Sequence, residues 1–308
     1  MVAVFIGNMF VVKHRKIFYT ITAVIVLASL ISVGVWGLNF GIDFTGGTIM
    51  EISYPNEKPG KENLVNRLEE VDIGGFSLRE TGKNGFILRT QNLSEESRQE
   101  IVGLLTIDGQ FELVEERVNS IGPVIGEELR NKALIAIAVT IVAIILFVAV
   151  AFRKVSKPVS SFKYGLIAIV ALLHDIVVPV GIFAALGYFL GAEVDVLFVM
   201  ALLAILGYSV NDTIVVFDRV RENLKLNHEL NRKEDFELTV GKSLNQTYVR
   251  SINTSITTIF VLLALFFLGA TATQDFALVL LTGVIAGTYS SIFLATPLLV
   301  TVMKWGDK

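Results

Sequence analysis

No cysteine occurs in these 308 residues. That absence excludes disulfide staples, thiolate metal sites and thiol nucleophiles together. A nucleic-acid footprint is missing too, because 26 basic and 29 acidic side chains leave a net charge of −3 and no basic face stands apart from the flanks of the apolar runs. Charge of either sign is scarce at 18%, against 53% hydrophobic residues and a mean hydropathy of +0.65. Soluble domains are not composed this way, and what remains is a polytopic membrane chain in contact with the lipid bilayer. Two chemical motifs also fail. Gly241-Lys242-Ser243 has Phe236 where a phosphate-binding loop needs its first glycine, and no strand precedes it. His228-Glu229 is followed by Leu230, Asn231 and Arg232, without the second histidine of a zinc protease. We therefore expect no metal, no cofactor and no enzyme.

What is present is a series of six apolar runs, near residues 17–38, 133–152, 164–190, 196–219, 250–269 and 276–303. About 20 residues at ~1.5 Å rise cross ~30 Å of hydrocarbon, so each run is long enough to span. The first follows Lys13, His14, Arg15 and Lys16 but is too long for a signal-peptide core, and it ends without an Ala-x-Ala-like site. It is expected to stay as an anchor. Lysine and arginine collect before run one, between runs two and three (Arg153, Lys154, Lys157), between runs four and five, and after run six (Lys304, Lys308). The loops 191–195 and 270–275 have none. The positive-inside rule then puts both termini in the cytoplasm and residues 39–130 outside the cell (plasma) membrane.

Residues 39–130 carry seventeen acidic and nine basic side chains, a balance of −8, and no spanning run. Residues 48–54 (TIMEISY) alternate as a half-buried strand does. Residues 61–71 put Leu64, Leu68 and Val71 on one helical face. Residues 76–80 and 86–90 flank a turn containing Asn84-Gly85, a hairpin signal. Ser94 can cap a helix that runs to about residue 106, its first turn holding Glu95 and Glu96. Residues 111–118 read as a last strand. This βαββαβ order predicts an α+β, ferredoxin-like extracytoplasmic domain. The domain plan is thus 1–38 for the N-terminus and first span, 39–130 for the outer domain, and 131–308 for spans two to six. Near 219–249 lies a cytoplasmic loop, where Phe236, Val240 and Leu244 form a stripe expected to lie on the membrane face.

Run four is the unusual one. Its later half holds Tyr208, Ser209, Asn211, Asp212 and Thr213, and an Asp in mid-span costs roughly 2.5–3.5 kcal/mol on insertion scales. With the helix ending near Asp218, Asp212 would sit ~9 Å below the surface. Run five opens with Arg250, Ser251, Asn253, Thr254, Ser255, Thr257 and Thr258, seven polar residues in nine, which cannot face lipid all round. An arginine keeps its proton, so Arg250 can serve as a switchable counter-ion to Asp212. Protonating Asp212 would release Arg250, a two-state element tied to proton occupancy; a static ion pair that only fixes packing is the alternative. Asn211, Ser209, Asn253 and Thr254 would lend polar support. Asp175 lies ~17 Å into run three, four residues before Pro179, which removes the amide that would bond its carbonyl. It is either a further proton-coupling group or a packing contact beside His174. Asp218, Arg219, Arg221 and Glu222 read as a solvated exit, and Gly283-x-x-x-Gly287, extended by Ser290 and Ser291, as a close-packing face.

Four stretches together resemble the SecF family of Sec translocase accessory subunits, within the resistance-nodulation-division superfamily. They are Asn39-Phe40-Gly41-Ile42-Asp43-Phe44-Thr45-Gly46-Gly47-Thr48, Ser120-Ile121-Gly122-Pro123-Val124-Ile125-Gly126, Gly207 to Thr213 with Val215-Val216-Phe217-Asp218-Arg219, and Arg250-Ser251-Ile252-Asn253-Thr254-Ser255. The resemblance implies a SecD-like partner with its own intramembrane carboxylate. It also implies work beside a SecY-type channel, where proton flow helps draw secreted polypeptides outward. In that family the corresponding Asp and Arg, here Asp212 and Arg250, belong to the proton path. Rival readings are a small-molecule or lipid exporter of the same superfamily, an intramembrane aspartyl protease using Asp175 and Asp212, and a scaffold indifferent to Asp212. The protease reading lacks a Gly-x-Gly-Asp step, since Gly207-Tyr208-Ser209 precedes Asn211-Asp212.

Overall fold

The computed structural model describes residues 10–71, 73–151 and 160–306. The expected end of span two at Phe152, the basic residues Arg153, Lys154 and Lys157, and Lys308 lie outside them. The chain divides into two units, Met1–Asn39 with Ile135–Lys308, and Phe40–Leu134.

In the smaller unit a helical turn α2 (Ile42–Thr45) leads into β1 (Gly47–Ser53), α3 (Lys61–Glu69), β2 (Ser77–Thr81), β3 (Gly85–Thr90), α4 (Glu95–Leu105) and β4 (Val114–Ile121). The strands form one antiparallel sheet in the order β2-β3-β1-β4. Alternation drives the packing: Met50, Ile52, Phe86 and Leu88 from the sheet meet Leu64 and Leu68 of α3 and Ile101 and Leu105 of α4 in one dry cluster. Tyr54 is buried there, its hydroxyl donating to the Leu105 carbonyl at 2.9 Å, and that burial raises its pKa above the usual tyrosine value. Ser94 caps α4 by accepting from the Ser97 amide. The last strand begins three residues later than the apolar Phe111 suggested. Ile107, Asp108 and Gly109 all take positive φ, and this left-handed turn sends Phe111 into the core before pairing starts. Gly46 also has positive φ, and a Cβ there would stand 2.8 Å from the Pro123 Cα, so the Gly46–Gly47 turn packs backbone to backbone on the residues after β4.

Six helices are long and apolar enough to cross a membrane. They are α1 (Arg15–Trp36), α5 (Pro123–Ala151), α6 (Ser161–Leu190), α7 (Val196–Glu229), α8 (Phe236–Leu268) and a sixth span built from α9 (Thr271–Tyr289), a π-helical turn (Ser290–Ala295) and α10 (Thr296–Gly306). Between 50% and 56% of the apolar stretch of α6, α7 and the sixth span is buried in the protein, against 17% for α1 and α8 and 6% for α5. The three well-buried spans are therefore the centre, and α5 turns almost all its surface outward. Where the sixth span widens, Pro297 supplies no amide to the carbonyl four residues back, and the Thr296 hydroxyl donates instead to the Ser291 carbonyl at 2.7 Å.

Two boundaries depart from expectation. α7 continues to Glu229, ten residues past the end of its apolar run, because α8 runs alongside it: Asn223 donates to Ser243 Oγ at 2.8 Å and to Gln246 Oε1 at 2.9 Å. The stripe Phe236, Val240 and Leu244 does not form a separate helix on the membrane face. It begins α8, and Val240 and Leu244 are buried against protein, the latter beside Val216 and Ile292.

Candidate functional site

Two carboxylates lie inside the bundle. Asp175 on α6 is 0% exposed and fully engaged. Its Oδ2 accepts from the Ser290 hydroxyl in the π-turn at 2.8 Å and from the Ser209 hydroxyl of α7. Its Oδ1 lies 2.8 Å from His174 Nδ1. An ionised carboxylate only accepts, so Nδ1 carries the hydrogen there. The His174 ring stacks on Tyr289, with centroids 5.9 Å apart, and the Tyr289 hydroxyl reaches the Phe18 carbonyl at 3.3 Å and Thr22 at 3.2 Å on α1. Three elements, α6, α7 and the π-turn, thus supply the partners of one acid.

Asp212 on α7 is 5% exposed and makes no such bonds. Its Oδ2 has no hydrogen-bond partner among the described residues, and the same holds for Thr213 Oγ1 and Ser251 Oγ close by in sequence and on the facing helix α8. Arg250 of α8 forms no ion pair with Asp212 within the described residues, yet its charge acts on that carboxylate through space. The guanidinium is exposed and lines a cavity of about 140 Å³ with Val215, Asp218, Arg219, Glu222, Gln246 and Thr247. Three of the cavity's four charges are bound locally, Asp218 to Arg221 at 2.8 Å and Glu222 to Arg219 at 2.9 Å. Val215 stands three residues, or ~4.5 Å of helical rise, from Asp212, so the cavity approaches within one turn of the unpartnered carboxyl.

The remaining candidates divide between these centres. Ser209 serves Asp175 rather than Asp212. Asn211, Asn253 and Thr254 are exposed, and the Thr254 hydroxyl donates to the Arg250 carbonyl at 2.9 Å. Gly283 and Gly287 pack within the chain: a Cβ at Gly283 would come 2.2 Å from Ile205 Cδ1, and one at Gly287 3.0 Å from Ser209 Cβ. Asp175 and Asp212 share no hydrogen bond, so the arrangement lacks the two-acid, one-proton centre that an aspartyl protease requires. Sequence reading placed Ser290 only in the packing face, and it missed Tyr289 and Thr288, the latter's hydroxyl donating to Ser255 Oγ at 2.6 Å. The only signal for them was the run of hydroxyl residues in the sixth span. Among the described residues no group of acidic, histidine or cysteine side chains could hold a metal ion.

Comparison with known proteins adds to this geometry. A family model described as "Protein export membrane protein SecD/SecF, C-terminal" matches residues 104–305, and a second, "SecD/SecF GG Motif", matches residues 31–54, which contain Gly46-Gly47. The protein translocase subunit SecF of Thermobaculum terrenum is 43% identical over 97% of this chain and 94% of its own length. That of Anaerolinea thermophila is 35% identical over 94% and 92%. The crystal structure of SecDF, a translocon-associated membrane protein from Thermus thermophilus, superposes with a TM-score of 0.81 at 34% identity, over 96% of this chain. This chain spans 38% of the length of that one.

Proposed function

Because this chain belongs to the SecF family of protein translocase subunits, we propose that it pairs with a SecD-like subunit beside a SecY-type channel and couples proton flow to the export of secreted polypeptides. In this reading both termini are cytoplasmic, and the unit Phe40–Leu134 is a ferredoxin-like domain outside the cell. The sheet order β2-β3-β1-β4 with helices after β1 and β3 fits that fold. The bare surface of α5 suits a partner bundle. So do the exposed polar residues Asn211, Arg250, Asn253 and Thr254, since lipid cannot satisfy such groups.

One observation carries the mechanism: Asp212 is buried, its Oδ2 has no hydrogen-bond partner among the described residues, and it sits one turn from a cavity lined by Arg250, which makes no ion pair among those residues. A carboxylate left so is costly while charged and cheap once protonated. A proton entering from the cavity neutralises Asp212 and frees Arg250 from its field; loss of the proton restores the attraction. Each charge moved across the full potential is worth ~2.3 kcal/mol per 100 mV, enough to bias such a switch. Motion of α7 and α8 would then reach the outer domain through the spans that frame it. Replacing Asp212 by Asn should abolish proton-driven export in proteoliposomes while the complex still assembles. Export at the wild-type rate would end this reading.

A further inference from the structure

Resting on that reading, we propose that His174 and Asp175 form a second proton-binding site, which takes its proton at His174 Nε2 and signals its occupancy to Asp212 through the Ser209 hydroxyl.

Three observations lead there. His174 is buried, and while Nδ1 is spent on Asp175, Nε2 has no hydrogen-bond partner among the described residues. Buried ring nitrogens are normally paired. A bare Nε2 beside a carboxylate that can balance an imidazolium is an acceptor for one proton. Second, the ring is held: Tyr289 stacks on it, and the Tyr289 hydroxyl is tied to α1. Third, Ser209 donates to Asp175 and lies three residues before Asp212 on α7, so both acids border the same helical face.

The step is a change of hydrogen-bond partner with no covalent rearrangement. A proton binds the Nε2 lone pair, and the imidazolium charge then offsets that of Asp175, loosening its hold on Ser209. The hydroxyl rotates about its single side-chain torsion and donates to the empty Oδ2 of Asp212. By linkage the effect is reciprocal, since whatever Asp212 gains from Ser209 the dyad loses. Several other ionisable groups on the helices packed against α6 have partners of their own or lie far from it. Arg15 of α1 and Lys304 of α10 bind Glu237. Tyr19 of α1 bonds Thr301 at 2.8 Å, and Tyr208 of α7 reaches Ser255 and Thr258. Asp275 of α9 lies fourteen residues, ~21 Å of helical rise, from Tyr289.

The test uses the full chain purified with its SecD-like partner. The chain has three histidines, so ¹⁵N-histidine spectra can be assigned by loss of the His174 signal in His174→Asn, a variant that keeps an amide donor for Asp175 but no titrating nitrogen. The proposal expects Nε2 of His174 to change from bare to protonated across the pH range in which the complex stays folded. It also expects the midpoint to move in Asp212→Asn but no longer to respond to that change once Ser209→Ala is added. Proton-driven export by His174→Asn should fall about 100-fold, the scale of a lost proton carrier. An Nε2 whose protonation is constant with pH overturns the site, as does wild-type export by an assembled His174→Asn complex. If that variant fails to assemble, the spectra of the wild type decide alone. Failure of the Asp212 reading is separately visible, since it alters export by Asp212→Asn and leaves the His174 titration in place.

Discussion

Asp175 and Asp212 are two buried carboxylates on adjacent helices, and the protein treats them in opposite ways. Around Asp175 it supplies Ser209, Ser290 and the Nδ1 hydrogen of His174. Around Asp212 no described residue donates to Oδ2, and Arg250 acts on it as a charge without an ion pair. A buried charge with several donors is structural whatever else it does, because its neighbours depend on it. A buried carboxyl without them stabilises nothing, so its retention points to use.

That contrast makes a sharp forecast for stability. Asp175→Ala strands two hydroxyls and an imidazole N–H in a dry seam, and should cost about 3–5 kcal/mol, the range for breaking a buried charge network. Asp212→Ala strands no partner and removes a poorly solvated group, so it should change stability by less than about 1 kcal/mol. Unfolding of the purified complex in detergent measures both. Equal costs would erase the distinction, and a larger cost at Asp212 would invert it.

How much of this could be read from the residues alone follows from the same physics. Both acids stood out, because a carboxylate in an apolar run is expensive wherever the run packs. Which acid Ser209 serves did not, since it shares a helix with one and faces the other. Ser290 showed only as part of a packing face and Tyr289 not at all, because hydroxyls in a spanning helix can bond their own backbone, and only the π-turn before Pro297 brings Ser290 to Asp175. The extension of α7 to Glu229 was hidden because hydropathy ends at Arg219 while helix propensity does not. In the smaller unit the alternation of β1 and the Ser94 cap were legible from local pattern. The start of β4 was not, because Phe111 is apolar for packing rather than for pairing.

A smaller effect sharpens the comparison at Ser209 itself. Gly287 leaves room there that a methyl would take, with Ser209 Cβ at 3.0 Å and Oγ at 3.2 Å from the added atom. Gly287→Ala should cost about 1–3 kcal/mol, as overpacking does. It should act by displacing the hydroxyl from Asp175, so combining it with Ser209→Ala should give less than the sum of the two. At Gly283 the obstacle is the Ile205 side chain, and Ile205→Val should recover part of the cost of Gly283→Ala. Strict additivity at Gly287 would mean that Ser209 is not what the glycine protects.

The least effect is expected where a carboxylate has as many partners as Asp175 but not its burial. Glu234, in the connection between α7 and α8, accepts from Lys242, from Asn227 at 3.1 Å and from Thr239 at 3.1 Å. Its pKa is lowered, chiefly by the Lys242 hydrogen bond. A depressed folded-state value means that the ionised form contributes stability above the unfolded carboxylate's pKa, and that this is lost as pH falls through the folded value. Solvent screens the Lys242 partner and can hydrate whatever Glu234→Gln leaves unpaired, so the substitution should cost under about 1 kcal/mol near neutrality and nothing in acid. If burial rather than partner number sets the cost at Asp175, the two substitutions must differ by several-fold in unfolding experiments on the same complex. A Glu234→Gln cost equal to that of Asp175→Ala would show that counting donors was enough.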